Sequence, residues 1–163
     1  MEAVVDQLEQ CLLASLESEA FRPLGLATGR TMEPLYAALV SRLRDWPTDR
    51  LQLLRQHWRS FNLDEYVGLA AEHPSSFSAF MGHHLVGPLG LDPAQVSLPD
   101  GATADPEAAA DRYAAAIRSA GGIGLQLLGL GSNGHVGFNE PPCGPEVRCR
   151  VVRLSSSTRS QNA

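Results

Sequence analysis

The spacing of apolar positions along the chain predicts several amphipathic helices. The first twenty residues place apolar side chains at helical intervals with acids on the other face. The same period recurs in "TMEPLYAALVSRLRDW" (31–46), "PSSFSAFMGHHLVGPL" (74–89) and "DPEAAADRYAAAIRSA" (105–120). The last is the clearest helix, because Asp105 and Pro106 begin it and two glycines follow it.

Four shorter runs predict strands between these helices. They are "LGLA" (24–27), "HWRSFNL" (57–63), "IGLQLLGL" (123–130) and the alternating "RCRVVRLS" (148–155). The third is nearly all apolar, which is typical of a central parallel strand covered on both faces. The order of helices and strands predicts an α/β fold with a mostly parallel sheet flanked by helices. A length of 163 residues suits one domain over residues 1–163.

Composition narrows the classes of partner. The balance of 44% hydrophobic and 19% charged residues is globular, and the formal net charge is -5. The sequence contains no cluster of basic residues of the kind that binds nucleic acid. No apolar run approaches the roughly 20 residues that span a membrane. Acids interrupt the N-terminal apolar positions, so this segment is not a signal peptide. Three cysteines without ligand spacing predict a reducing, cytoplasmic location and no structural zinc.

Polar residues follow three of the predicted strands. They form "TGRT" (28–31), Asp64 with Glu65, and the loop from 132 to 140. Because parallel strands present their carboxyl ends at one edge of a sheet, we expect these clusters to converge there, where such sheets bind ligands.

The first cluster has the chemistry of an anion site. A glycine turn that feeds a helix leaves backbone N–H groups free, and Arg30 and the hydroxyls of Thr28 and Thr31 add donors around Gly29. An ordinary strand-to-helix turn capped by threonine explains the same residues.

The other two clusters have the chemistry of proton transfer. Asp64 follows a buried strand, where a carboxylate is well placed to act as a general base. The same sequence is also compatible with a solvated acidic residue in a loop. His135 lies between glycines, with Asn133 and Glu140 nearby as orienting partners. The alternative is a loop histidine that caps backbone groups. No second ligand at metal spacing accompanies it, so no metal is expected.

Three blocks of the chain resemble the glucosamine-6-phosphate deaminase family in order and spacing. They are "LGLATGRTMEPLY" (24–36), "FNLDEYVGLAAEHPSSFSAFM" (61–81) and "LGLGSNGHVGFNEPP" (128–142), and "RVVRLSSSTRSQNA" (150–163) resembles the segment that follows. The resemblance implies the Rossmann-like α/β fold that this family shares with 6-phosphogluconolactonases. It also implies conversion of glucosamine 6-phosphate to fructose 6-phosphate and ammonia, without a metal or redox cofactor.

The resemblance also implies a role for each site residue. Asp64 would be the base that moves a proton between C2 and C1, and His135 would assist ring opening. Glu140 and Asn133 would orient His135. The sugar phosphate would be held by Thr28, Gly29, Arg30, Thr31 and Arg159. Family members often form trimers or hexamers, so a homo-oligomer is one expected assembly.

The chain departs from the family pattern at several places. Asn133 stands where many members have aspartate, and Arg30 and Met32 stand where a small residue and proline are usual. Members continue well past the segment that ends at Ala163, so the fold is expected to be incomplete at its C-terminal side. Two other functions stay open: a 6-phosphogluconolactonase-like hydrolase, in which His135 would activate water, and a non-catalytic sugar-phosphate-binding fragment.

Overall fold

A computed structural model describes residues 1–18, 21–131, 133–144, 146–155 and 158–159. The helices are α1 (Glu2–Leu16), α2 (Met32–Arg44), α3 (Thr48–His57), α4 (Phe77–Met81), α5 (Gly87–Leu89) and α6 (Pro106–Ser119). A π-helical turn, Gly82–Val86, joins α4 to α5, and a 3₁₀ turn covers Pro93–Gln95. The strands are β1 (Leu24–Leu26), β2 (Ser60–Asn62), β3 (Val96–Ser97) and β4 (Leu125–Gln126).

The four strands form one parallel sheet in the order β3-β2-β1-β4. Leu24 is in register with Ser60 on one side and with Leu125 on the other. All four carboxyl ends therefore lie at one edge, which is where the polar clusters were expected. The prediction of an α/β fold with a mostly parallel sheet is confirmed.

The core forms where the helical apolar stripes meet the sheet. Helix α1 buries Val5, Leu8 and Leu12, which recur at helical spacing, and α2 buries six residues from Met32 to Leu43. Arg42 of α2 ties the two helices together through ion pairs with Glu2, Asp6 and Glu9 of α1. The predicted helices at 31–46 and 105–120 are present, and Asp105 caps α6 by accepting from the Ala108 N–H at 3.1 Å.

Two elements were not predicted. Helix α3 buries only Leu51 and Leu54, so its apolar stripe is too thin to stand out in the sequence. It ends at His57, which leaves only Ser60–Asn62 as the strand within the predicted 57–63. Strand β3 has only two residues, and it forms because it pairs with β2. The local sequence pattern does not predict this pairing.

The strand predicted at 148–155 is wrong. These residues form no ladder with any described part of the chain and instead line a cavity beside the sheet. The predicted strand at 123–130 is also shorter than its apolar run. Only Leu125–Gln126 pairs with β1, and Leu130 is 78% exposed, where it forms an isolated antiparallel bridge with Val136. Alternation and apolarity permit a strand, but a strand also needs a neighbour.

A buried hydrogen bond fixes the end of β1 to α2. The hydroxyl of Tyr36 donates to the carbonyl oxygen of Ala27 at 2.6 Å, and burial raises the pKa of this tyrosine. We predict that Tyr36→Phe lowers the free energy of unfolding by about 1–2 kcal/mol, because it leaves a buried carbonyl unpaired. Urea denaturation measures the change. Tyr66→Phe, at a half-buried ring, is the control, and equal effects of the two substitutions would contradict this reading.

Candidate active site

Asp64 lies two residues beyond the carboxyl end of β2, in a partly buried position. Burial, and to a smaller extent the charge of the adjacent Glu65 carboxylate, raise the pKa of Asp64 to about 7. The backbone N–H of Phe138 acts in the opposite sense by hydrogen bonding to the carboxylate. A carboxyl group with a pKa near neutrality is suited both to accept and to return a proton.

The loop from Asn133 to Glu140 lies directly against Asp64. Gly137 has a φ of 57°, and a Cβ at this position would lie 2.8 Å from Oδ2 of Asp64. A larger residue would therefore be strained and would also push the loop away from the carboxylate. A Cβ on Gly131 would overlap the ring of His135. Gly137 in the loop and Gly131 just before it are therefore required where the backbone passes close to Asp64 and His135.

Asn133 is the residue that holds the His135 ring. Its Oδ1 lies 2.6 Å from Nδ1 of His135 and accepts from the His135 backbone N–H at 3.2 Å. Because an amide oxygen only accepts, this contact places a proton on Nδ1 and leaves Nε2 of the neutral ring as the acceptor. The predicted pairing of Asn133 with His135 is therefore present in the structure.

Glu140 makes its hydrogen bonds elsewhere. Its Oε1 accepts from the hydroxyl of Ser155 at 2.7 Å and from the hydroxyl of Thr158. These bonds lower the pKa of Glu140, and the nearby His135 lowers it through its charge. Glu140 thus acts on the His135 ring through space, while its hydrogen bonds anchor the segment that carries Arg159.

Glu65 has a structural role that sequence reasoning did not identify. Its carboxylate accepts from the backbone N–H groups of Tyr66 at 2.8 Å, Phe77 at 3.0 Å and Ser78 at 2.9 Å. Glu65 therefore caps the start of α4, while Asp64 faces the loop. The two adjacent acids therefore contact different elements. Phe77 and Ser78 lie 12 and 13 residues after Glu65, so no short motif could have revealed these two contacts.

Two adjoining cavities meet at this edge of the sheet. One, of about 420 Å³, is lined by residues that include Asp64, Tyr113, Phe138 and Asn139. The other, of about 530 Å³, is lined by residues that include Gly29, Arg30 and Arg159. Tyr66 and Leu154 line both cavities. A carboxyl group and two guanidinium groups thus lie on either side of a shared wall.

The structure brings together only part of the predicted anion site. Gly29 and Arg30 reach the cavity of Arg159, but Thr28 and Thr31 lie in the same turn outside its lining. Thr31 is the N-cap residue of α2, and its side chain makes no capping hydrogen bond. The helix begins where the backbone N–H of Met32 donates to Gly29 at 2.8 Å.

An aromatic cluster, which the sequence did not single out, fixes the loop in place. Tyr66, Phe77 and Phe138 pack with ring centroids 4.8–5.6 Å apart. Phe138 belongs to the loop, Tyr66 follows Asp64, and Phe77 begins α4, so the cluster joins three elements that surround the carboxylate. Ring packing of this kind contributes beyond simple burial.

Other kinds of site are not apparent in the described residues. Among them, no group of three or more histidine, cysteine or acidic side chains is placed to hold a metal ion. Within the same part of the chain, no helix is long and apolar enough to cross a membrane.

Comparison with known proteins decides the family. Residues 1–138 match the model of glucosamine-6-phosphate isomerases/6-phosphogluconolactonase. The chain belongs to this family. The three resembling blocks in the sequence therefore reflect true relationship, and the parallel sheet is the family's fold.

Individual relatives agree with this assignment. The chain is 44% identical over 140 residues to a glucosamine-6-phosphate deaminase of Streptomyces coelicolor and 45% identical over 140 residues to glucosamine-6-phosphate deaminase 2 of Bacillus subtilis. Each match covers 86% of this chain but only 52% and 54% of the relatives. A solved monomeric glucosamine-6-phosphate deaminase superposes with a TM-score of 0.78 at 35% identity, over 95% of this chain and 65% of that one. The chain thus spans about half the length of these curated relatives.

The raised pKa of Asp64 makes stability depend on pH. The folded chain holds this proton up to about pH 7, whereas the unfolded chain releases it near pH 4. The native state therefore loses stability as the pH rises from about 4 to above 7. We predict that Asp64→Asn is more stable than the parent at pH 8, on the order of 4 kcal/mol, and that the difference disappears near pH 4.

Urea denaturation at several pH values measures this effect. Asp45→Asn, at an exposed aspartate, is the matched control and should leave the pH profile unchanged. A constant loss of stability in Asp64→Asn at every pH would show that the carboxylate is not held in a weakly hydrated position.

Proposed function

We propose that this protein is a glucosamine-6-phosphate deaminase-type aminohydrolase and isomerase, which converts glucosamine 6-phosphate and water into fructose 6-phosphate and ammonia. The observation that carries the proposal is the Asp64 carboxyl, with a pKa of about 7, in contact with the loop that presents His135. The deaminase names of its relatives support the same substrate.

The reaction needs a group that opens the sugar ring. In this proposal His135 exchanges a proton with the ring oxygen, and the contact with Asn133 leaves Nε2 available for this exchange. Glu140 stabilises the protonated ring by its charge. Ring opening produces the free aldehyde at C1, with the amine still on C2.

The isomerisation needs one base that moves a proton between neighbouring carbons. Asp64 takes the proton from C2, giving an enolamine, and returns it to C1, giving an imine at C2. Water then adds to the imine carbon and ammonia leaves, which yields the ketone of fructose 6-phosphate. A carboxyl with a pKa near 7 loses and regains a proton at comparable cost, as both half-steps require.

The phosphate lies away from the reacting carbons in this proposal. Arg30 and Arg159, with the backbone at Gly29, would hold it in the second cavity, which Glu33 also lines and which adjoins the Asp64 cavity at Tyr66. A guanidinium pair suits a phosphate dianion. Binding energy at the phosphate then positions C1 and C2 at the carboxylate. Thr28 and Thr31 would contribute from the same turn.

Further predictions remain part of this proposal. Residues 1–163 would form one domain of the enzyme, acting without a metal or redox cofactor and without nucleic acid or a membrane as partner. A cytoplasmic location is supported by the free thiols of Cys11, Cys143 and Cys149. The homo-oligomer stays a prediction, and the solved relative is described as monomeric.

We predict that the protein releases ammonia from glucosamine 6-phosphate and that Asp64→Asn lowers kcat by about 10²–10⁴-fold, because it removes the base. A coupled ammonia assay measures both. His135→Gln should lower the rate when ring opening limits turnover. Unphosphorylated glucosamine is the substrate control, since it lacks the group that the arginines hold.

The same assay separates the alternative functions. Hydrolysis of 6-phosphogluconolactone without ammonia release would favour a lactonase. Saturable binding of glucosamine 6-phosphate with neither reaction would favour a non-catalytic sugar-phosphate-binding fragment. An active Asp64→Asn variant would contradict the assignment of the base.

We further predict that Arg159→Gln raises KM for glucosamine 6-phosphate by roughly 10–100-fold, with a smaller change in kcat, because the phosphate contact is made in both ground and transition states. Arg30→Ser should also raise KM. Arg44→Gln, at an exposed arginine of α2, is the control. Unchanged KM in both cavity variants would place the phosphate elsewhere.

A further inference from the structure

Asn62, the last residue of β2, has a buried side-chain amide with no hydrogen-bond partner. The residue is only 3% exposed, and within the described part of the chain neither Nδ2 nor Oδ1 forms a hydrogen bond. Its backbone is fully engaged in comparison, since it pairs with β1 and its carbonyl accepts from the Tyr113 hydroxyl at 2.7 Å. Unpaired buried amides are rare because they cost stability, so this one calls for a cause.

Ser60 shows that a buried polar side chain on this strand can form a hydrogen bond. It lies two residues earlier on β2, it is 1% exposed, and its Oγ accepts from the indole N–H of Trp58 at 3.0 Å. The unpaired amide is therefore particular to position 62. An apolar side chain of similar size would avoid the cost altogether.

The position of Asn62 points to Asp64. Both residues line the same cavity, and only Leu63, where the chain bends, separates them in the sequence. Side chains on either side of this bend can turn toward each other. The Asp64 carboxylate accepts a hydrogen bond from the Phe138 N–H and lies against Gly137.

Substrate must displace part of this arrangement. A base has to approach the proton it abstracts to about 3 Å, and the loop backbone already covers Oδ2 of Asp64. When the carboxylate turns toward a bound ligand, it needs a new hydrogen-bond donor. Among the residues that line this cavity, Asn62 offers an amide whose donors are unused.

We propose that Asn62 is a positioning residue for Asp64, whose side-chain amide stays unpaired in the unliganded protein and hydrogen-bonds to the Asp64 carboxyl once a sugar phosphate occupies the cavity. The inference rests on the proposed function, because it takes Asp64 as the base. The N–H of the amide donates to the carboxylate, which is the form in which Asp64 acts as a base.

The decisive variant is Asn62→Leu, with Ser60→Val as the matched control. Asn62→Leu should raise the thermal midpoint of the unliganded protein, because it removes an unpaired buried amide, whereas Ser60→Val should lower it by breaking a formed hydrogen bond. Asn62→Leu should also lower kcat at least tenfold with KM changed less than threefold. Ser60→Val should leave both constants near those of the parent.

The pH profiles separate positioning from a structural role. The acid limb of kcat, which reports the bound enzyme, should move to higher pH in Asn62→Leu, because the carboxylate loses a donor there. The limb of kcat/KM, which reports the free enzyme, should stay in place. The other titratable and charged side chains that line the cavity are Glu65, Tyr66, Asp100, Tyr113, Arg148, Cys149 and Arg150. They are identical in parent and variant, so they cancel in the comparison.

A binding experiment on the parent protein decides the contact even if the variant does not fold. Saturation with fructose 6-phosphate should shift the side-chain NH₂ proton signals of Asn62 downfield in NMR spectra. The absence of such a shift would overturn the proposal. A lower thermal midpoint in Asn62→Leu, together with unchanged acid limbs of kcat and kcat/KM, would also overturn it. Absence of ammonia release by the parent would refute the proposed function instead, whereas ammonia release with an unaltered Asn62→Leu variant would refute only the role of Asn62.

Discussion

The candidate site depends on the contact between the Asp64 carboxylate and the backbone of Gly137 and Phe138. This contact brings together the end of β2 and a loop more than seventy residues later in the chain. It withdraws the carboxylate from water, which is the main cause of its raised pKa, and supplies one N–H that keeps the rise moderate. The same contact holds the loop that carries His135 against the residue that follows β2.

Three carboxylates near this edge have the same chemistry but different surroundings. Asp64 has little hydration and one backbone donor, Glu65 is fully engaged at the start of α4, and Glu140 accepts from two hydroxyls. The number of donors that each carboxylate meets decides its role. Asp64 keeps a proton affinity near neutrality, because its burial is not offset by a full set of hydrogen bonds.

Much of the scaffold was predictable because its signals are local. Helices α2 and α6 carry wide apolar stripes, and α6 also has its cap in the sequence. Helix α3, with two buried residues, and β3, with two residues in all, depend on contacts with other elements. The segment 148–155 alternates as a strand does, yet it has no pairing partner among the described residues, so the pattern alone misled.

The candidate site also contains features that local sequence predicts and features that depend on contacts between distant residues. The convergence of Asp64 with the His135 loop followed from the rule that parallel strands end at one edge, and the contact of Asn133 with His135 follows from their spacing. The partners of Glu140 did not follow, because Ser155 and Thr158 come from a segment whose path the sequence does not define. The roles of Glu65 and the aromatic cluster likewise arise only when α4 packs beside β2.

These distant contacts couple the two halves of the site. Glu140 belongs to the His135 loop, and through Ser155 and Thr158 it fixes the segment of Arg159, whose backbone N–H donates to Ser155 at 3.0 Å. Tyr66 follows Asp64 and forms the wall between the two cavities. The segment of Arg159 is therefore hydrogen-bonded, through Glu140, to the loop that lies against Asp64.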